Sequence, residues 1–303
     1  MKRLLSSYLV LLVALACESP ANVELSPSTP TLVIDAFIND LPQNQRVILN
    51  FSQPFFNNNE YSPASGALVT ITDDQGNDPF VFTESGNPGE YIWQPTNVFP
   101  KIGEVGSEFT LRIEFEGEVY TANSTMNRTT PIDEILFFEE QEPFSDDLFF
   151  EARMIARDPV GVGDAYWVRT FWNDEFLGDP SELNIAFDAG ISPGGGIDGQ
   201  QFIIPISAGI NPTGEDESYE LGDRVRVEVH SITREAYDYF IELQIQTDRP
   251  GGFAELFAQP LANLTPNISA QGDTGSTILG FFSMSSVTQM EVLFTEDLIV
   301  EAE

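Results

Sequence analysis

A chain of 303 residues has room for two β domains of ordinary size, and its 42% hydrophobic content excludes wholesale disorder. Its 13 Lys and Arg stand against 48 Asp and Glu, a formal net charge of −35 that argues against nucleic acid and anionic lipid surfaces as partners. Cys17 is the single cysteine, so no disulfide can form within the chain.

Residues 1–16 read as an export signal. Lys2 and Arg3 form a cationic head, an apolar run follows from Leu4, and the small residue Ala16 precedes Cys17. The run is too short to span a bilayer comfortably. A cysteine at this place suits lipid attachment to Cys17 after cleavage before it, although Leu15 stands where a smaller residue is commoner. Residues 17–30, rich in Ser and Pro, form the tether between that lipid and the folded body.

Strand patterns begin at Thr31. Leu32, Val33 and Ile34 open an apolar run; Val47, Leu49 and Phe51 alternate with Arg46 and Asn50; Ala67, Val69 and Ile71 alternate with Thr70 and Thr72. In the clearest run, Phe109, Leu111, Ile113 and Phe115 face one way while Thr110, Arg112, Glu114 and Glu116 face the other. Period-2 alternation marks strands with one buried face. With turn residues at 73–77, 86–89 and 116–118, the pattern predicts an immunoglobulin-like β-sandwich over 31–130.

Pro131 marks a seam, and 131–303 is predicted as a second β-rich, sandwich-like domain. Alternation recurs at 150–156, at 166–172 and at Val225, Val227 and Val229, with a final pair of strands near 278–282 and 290–294. One amphipathic helix is predicted over 233–247, where Ala236, Tyr237, Phe240, Ile241 and Leu243 recur at helical spacing and Thr233 can cap the start. The whole is therefore mainly β.

Catalytic equipment is sparse. His230, the only histidine, shares its strand parity with Arg224, Arg226 and Glu228, which reads as a surface position. No G-x-S-x-G elbow exists. Residues 194–199 satisfy G-x-G-x-x-G but lead into a strand-like Phe202-Ile203-Ile204 rather than a helix, so the phosphate-cradling geometry is missing. No cofactor is expected; calcium at Asp73, Asp74 and Asp78 is the alternative to a plain hairpin turn there. Trp93, Trp167 and Trp172 lie in alternating strands and read as core. Recognition falls instead to acidic loops at 139–147, 188–200 and 211–218, with Glu139, Asp146, Asp147, Glu215, Asp216 and Glu217 as candidate partner-binding residues.

An ordered set of segments carries a resemblance: residues 32–38 (LVIDAFI), 65–76 (SGALVTITDDQG), Gly89-Glu90-Tyr91, 103–106 (GEVG), Phe109-Thr110-Leu111, Pro131-Ile132-Asp133, 237–240 (YDYF), Asn267-Ile268 and 279–283 (LGFFS). The set resembles the domain-of-unknown-function 4249 family, typically lipoproteins of Bacteroidota-type bacteria. The resemblance implies an outer-membrane accessory lipoprotein, on the cell-surface or periplasmic face, partnering a TonB-dependent receptor in nutrient uptake. It brings no catalytic residues. The resulting expectation is a non-enzymatic, lid-like receptor partner; the alternative is a surface glycan-binding protein or glycan hydrolase using loop carboxylates.

Overall fold

Strand alternation is realised throughout the computed structural model, which describes residues 29–53, 61–141, 148–214, 217–249, 251–252, 254–272 and 278–300. The expected signal 1–16, Cys17, most of the expected tether, and Asp146, Asp147, Glu215 and Asp216 lie outside the described residues. Among the described residues eighteen strands form: β1 Leu32–Asn39, β2 Gln45–Phe51, β3 Ser62–Pro63, β4 Leu68–Asp73, β5 Phe80–Glu84, β6 Glu90–Trp93, β7 Glu108–Phe115, β8 Glu118–Thr125, β9 Ile132–Gln141, β10 Leu148–Ala156, β11 Ala165–Trp172, β12 Glu175–Phe176, β13 Asn184–Phe187, β14 Arg224–Ile232, β15 Ser269–Ala270, β16 Ile278–Ser285, β17 Val287–Leu293 and β18 Ile299–Val300. The fold is mainly β, and no described helix is long and apolar enough to cross a membrane.

The first sheet has ten strands in the order β15-β8-β7-β4-β5-β6-β2-β1-β16, with β3 on β2. Its far edges approach each other. The Met284 N–H donates to Ser124 Oγ at 3.0 Å, and Asn127 bridges Ser285, so the sheet curls towards a barrel. Leu49, Val69, Ile71, Phe109, Leu111 and Ile113 fill the interior with no exposed surface, each burial being worth roughly 1.5–3 kcal/mol. The 73–77 segment is the predicted hairpin turn between β4 and β5; Asp73 Oδ1 accepts the Gln75 and Asn77 N–H groups at 3.1 and 3.2 Å.

Beyond Pro131 two smaller sheets pack face to face. One is β10-β9-β18; the other is β12-β11-β14-β17 with β13 on β11. Their shared core holds Met154, Val168, Val227 and Val229, and Phe137 stacks on Phe294 with ring centroids 3.8 Å apart. The predicted helix runs from Arg234 to Thr247, and Thr233 caps it by accepting the Ala236 N–H at 3.2 Å. Phe240 of this helix, Trp167 of β11 and Phe37 of β1 meet in a third cluster that joins the two bodies.

The two terminal strands form as expected, as β16 and β17, and join different sheets: β16 runs parallel to β1, from Leu32↔Ile278 to Asn39↔Ser285, while β17 pairs with β14. The sheet of β1 thus draws strands from either side of 130/131. Two expectations change. Phe202-Ile203-Ile204 is not a strand; residues Ile204–Ser207 form a single helical turn with Pro205 in its first positions, where a missing N–H costs nothing. The 139–147 segment is not wholly loop, because β9 continues through Glu139 to Gln141, opposite Phe150 and Leu148.

Candidate functional site

Period-2 geometry sends one set of side chains from each strand into the cores and the other set into the space between the bodies. From the first sheet these are Asp35 and Phe37 on β1, Arg46 and Ile48 on β2, and Glu90 and Ile92 on β6. From the second body, β11 contributes Trp167 and Arg169, β12 Phe176, and β14 His230. They line a cleft of about 640 Å³. Asp35, Phe37, Trp167 and Phe176 also border a second lobe of about 380 Å³, continued by Leu177, Leu183, Phe240 and Leu243.

Pairing of β11 with β14 sets Trp167 opposite His230, Arg169 opposite Glu228 and Phe171 opposite Arg226, all on the cleft-facing side. Glu228, 4% exposed, is the hub. Its carboxylate accepts from Arg226 Nη1, accepts His230 Nε2–H at 2.9 Å and lies 3.6 Å from Arg169 Nη1. Burial alone would raise this carboxyl, but the His230 hydrogen bond and the nearby arginine charges hold it below the usual glutamate range. His230 is itself pulled down by burial, with Arg169 adding and Glu228 opposing, and so stays neutral near pH 7.

The cleft lining carries charges of both signs, Arg46 and Arg169 against Asp35 and Glu90, in an otherwise acidic chain. Arg226 has a second carboxylate, Glu291, at 3.8 Å, whereas Arg169 faces only Glu228, and its buried Nε has no hydrogen-bond partner among the described residues. Its guanidinium lies 4.6 Å from the Phe176 ring centre and 4.9 Å from that of Trp167. Burial lowers its affinity for its proton, Glu228 opposing. Across the cleft Arg46 pairs loosely with Glu90 at 3.7 Å. Asp35 is open to water inside the cleft yet hemmed by protein, and that enclosure raises its carboxyl despite Arg46.

His230 is therefore no surface residue: it is 3% exposed. Parity gave its face correctly, but the first body covers that face. Of the tryptophans, Trp93 is core as expected, Trp172 is half-buried against the second core, and Trp167 is a wall of the cleft. Glu139 and Glu217 are exposed and do not line the cleft. The residue that sequence reasoning missed is Arg169. Its signal was a lone arginine between Trp167 and Phe171 in a strand otherwise apolar on both faces.

A second polar group lies at the far end of β11. Carboxylate oxygens of Asp158, Asp188 and Asp198 fall within 4.8 Å of one another, the one described set that could converge on a cation. Each is already engaged. Tyr166 and the Gly199 N–H donate to Asp158, the Gly163 N–H to Asp188 and the Gly161 N–H to Asp198. Burial raises the Asp158 carboxyl, and the Asp164 and Asp188 charges add to it, while Arg128 clamps Asp164 and the carbonyls of Pro159, Val160 and Gly161. The cluster fastens these loops together.

No curated protein matches the sequence. The family model described as domain of unknown function (DUF4249) matches residues 18–291, and the chain belongs to that family.

Proposed function

We propose that the protein is a non-enzymatic cell-envelope binding protein, held at the outer membrane by lipid on Cys17 and acting as the accessory partner of a TonB-dependent receptor. The observation that carries this reading is the preformed cleft between the two bodies, walled by Phe37, Trp167 and Phe176, with Arg169 and His230 in its lining and both held by the buried Glu228. Concave, aromatic-walled junctions with a few placed polar groups are where small solutes bind. The polar groups here favour recognition over turnover, since His230 is committed to Glu228 and Glu228 to two arginines. The acidic surface would hasten encounter with a basic patch on the receptor, more than it would add final affinity.

The test is fractionation and affinity capture of the full-length protein from its own membranes. Expected is recovery with the outer membrane together with a TonB-dependent receptor, and release of Cys17→Ser into the soluble fraction. A wild-type N-terminus found unmodified by intact mass, or recovery with no such receptor, would overturn the reading. The alternative, a glycan binder or hydrolase, draws support from Asp35: a carboxyl raised by enclosure beside an aromatic wall suits a general acid. Glycan turnover abolished by Asp35→Asn would establish it.

A further inference from the structure

Resting on the reading of the cleft as a solute site, we propose that its ligand is a monoanionic carboxylate with an aromatic or branched aliphatic body. The carboxylate sits on Arg169, and the body fills the lobe between Phe176, Leu183, Phe240 and Leu243.

Charge sets the head group. On the second-body wall Arg169 and Arg226 share Glu228, and Arg226 alone has the further carboxylate Glu291, so Arg169 is the under-compensated cation. Its side chain keeps 24% of its surface exposed in the cleft lining, so a carboxylate in the cleft can reach the guanidinium. Planar guanidinium and planar carboxylate match through paired hydrogen bonds, which a neutral hydroxyl cannot reproduce. A multiply charged ligand fits poorly, because Asp35 and Glu90 line the opposite wall and the whole chain carries −35.

Shape sets the body. The second lobe opens from the first across Phe37, Trp167 and Phe176, and its far wall is mainly apolar, from Leu177, Leu183, Phe240 and Leu243, with Asp179, Glu182 and Thr247 also in the lining. At about 380 Å³ it accommodates a phenyl ring or a branched aliphatic chain and leaves room for solvent at the mouth. Phe176 borders both lobes, packing tilted against Phe171 with ring centroids 5.4 Å apart and lying under the Arg169 guanidinium.

Calorimetric titration of the full chain in detergent tests this with 3-phenylpropionate as the probe. Its uncharged amide, acetate, inorganic phosphate and a neutral oligosaccharide serve as comparators. Expected is saturable binding of 3-phenylpropionate, with the amide and acetate each at least ~10-fold weaker, as loss of a charge-assisted hydrogen bond or of the buried ring requires. Arg169→Gln should weaken the acid by ~10-fold or more without changing the amide, Arg169→Lys should fall between, and Leu243→Ser should weaken the acid but not acetate. Melting curves of each variant confirm that it is folded. Equal binding of acid and amide, phosphate binding above the acid, selective binding of the oligosaccharide, or no binding of the acid would overturn the proposal. None of these outcomes depends on membrane attachment or receptor capture, so the two readings fail separately.

Discussion

Replacing Glu228 by Gln isolates the hub of the cleft wall, since the side chain keeps its shape and loses its charge. Breaking a buried ion pair from one side commonly costs about 3–5 kcal/mol, because the partner charge is stranded. Here the arginine side chains are each 24% exposed, and Arg226 retains Glu291 at 3.8 Å, so the loss falls at or just below the lower end of that range. The expected loss is about 2–3 kcal/mol at pH 7, read from urea-unfolding midpoints at unchanged slope. Because the folded carboxyl titrates below its ordinary value of 4.5, its stabilisation is present above that value and fades as pH falls through the folded one. The gap between wild type and Glu228→Gln should therefore narrow in acid. Adding Arg169→Met to Glu228→Gln should recover part of the loss, because the stranded cation is gone. A loss under about 0.5 kcal/mol, or single-variant losses that simply add, would refute Glu228 as the element holding these cations in place.

Two further substitutions probe other parts of the fold. Asp35→Asn should raise the melting temperature at pH 7 and leave it nearly unchanged at pH 3: a carboxyl raised above 3.8 favours folding while protonated and loses that advantage as pH climbs through its folded value, a penalty the amide escapes. A less stable variant at pH 7 would contradict this. Gly280→Ala should cost at least ~3 kcal/mol or abolish soluble folded protein, because Gly280 has φ +100° and an added Cβ would lie 1.9 Å from the Ile34 carbonyl oxygen; a wild-type urea midpoint would disprove it.

Local structure was legible where one segment carries its own instructions. The 109–115 alternation, the Asp73 turn and the Thr233-capped helix each rest on contacts within a few residues. What resisted reading depends on pairing at long range. An apolar run such as 278–285 says that it is a strand, but not that its neighbour is Leu32 at the other end of the chain. Parity placed His230 among charged residues, yet could not say that β1 and β2 would close over that face. The cleft was invisible for the same reason: Asp35, Arg46, Arg169 and Glu228 are brought together only by the packing of two sheets.

The position of β16 also bears on how the chain can be made. During synthesis, residues emerge from the N-terminus onward, and β1 would stand as an open edge for more than two hundred residues before its parallel neighbour arrives. A partly emerged chain therefore holds a hydrogen-bonding template without its cover, next to a barrel-like core that cannot yet shut. Such topology folds slowly and late, and favours keeping the chain unfolded until nearly all of it is available.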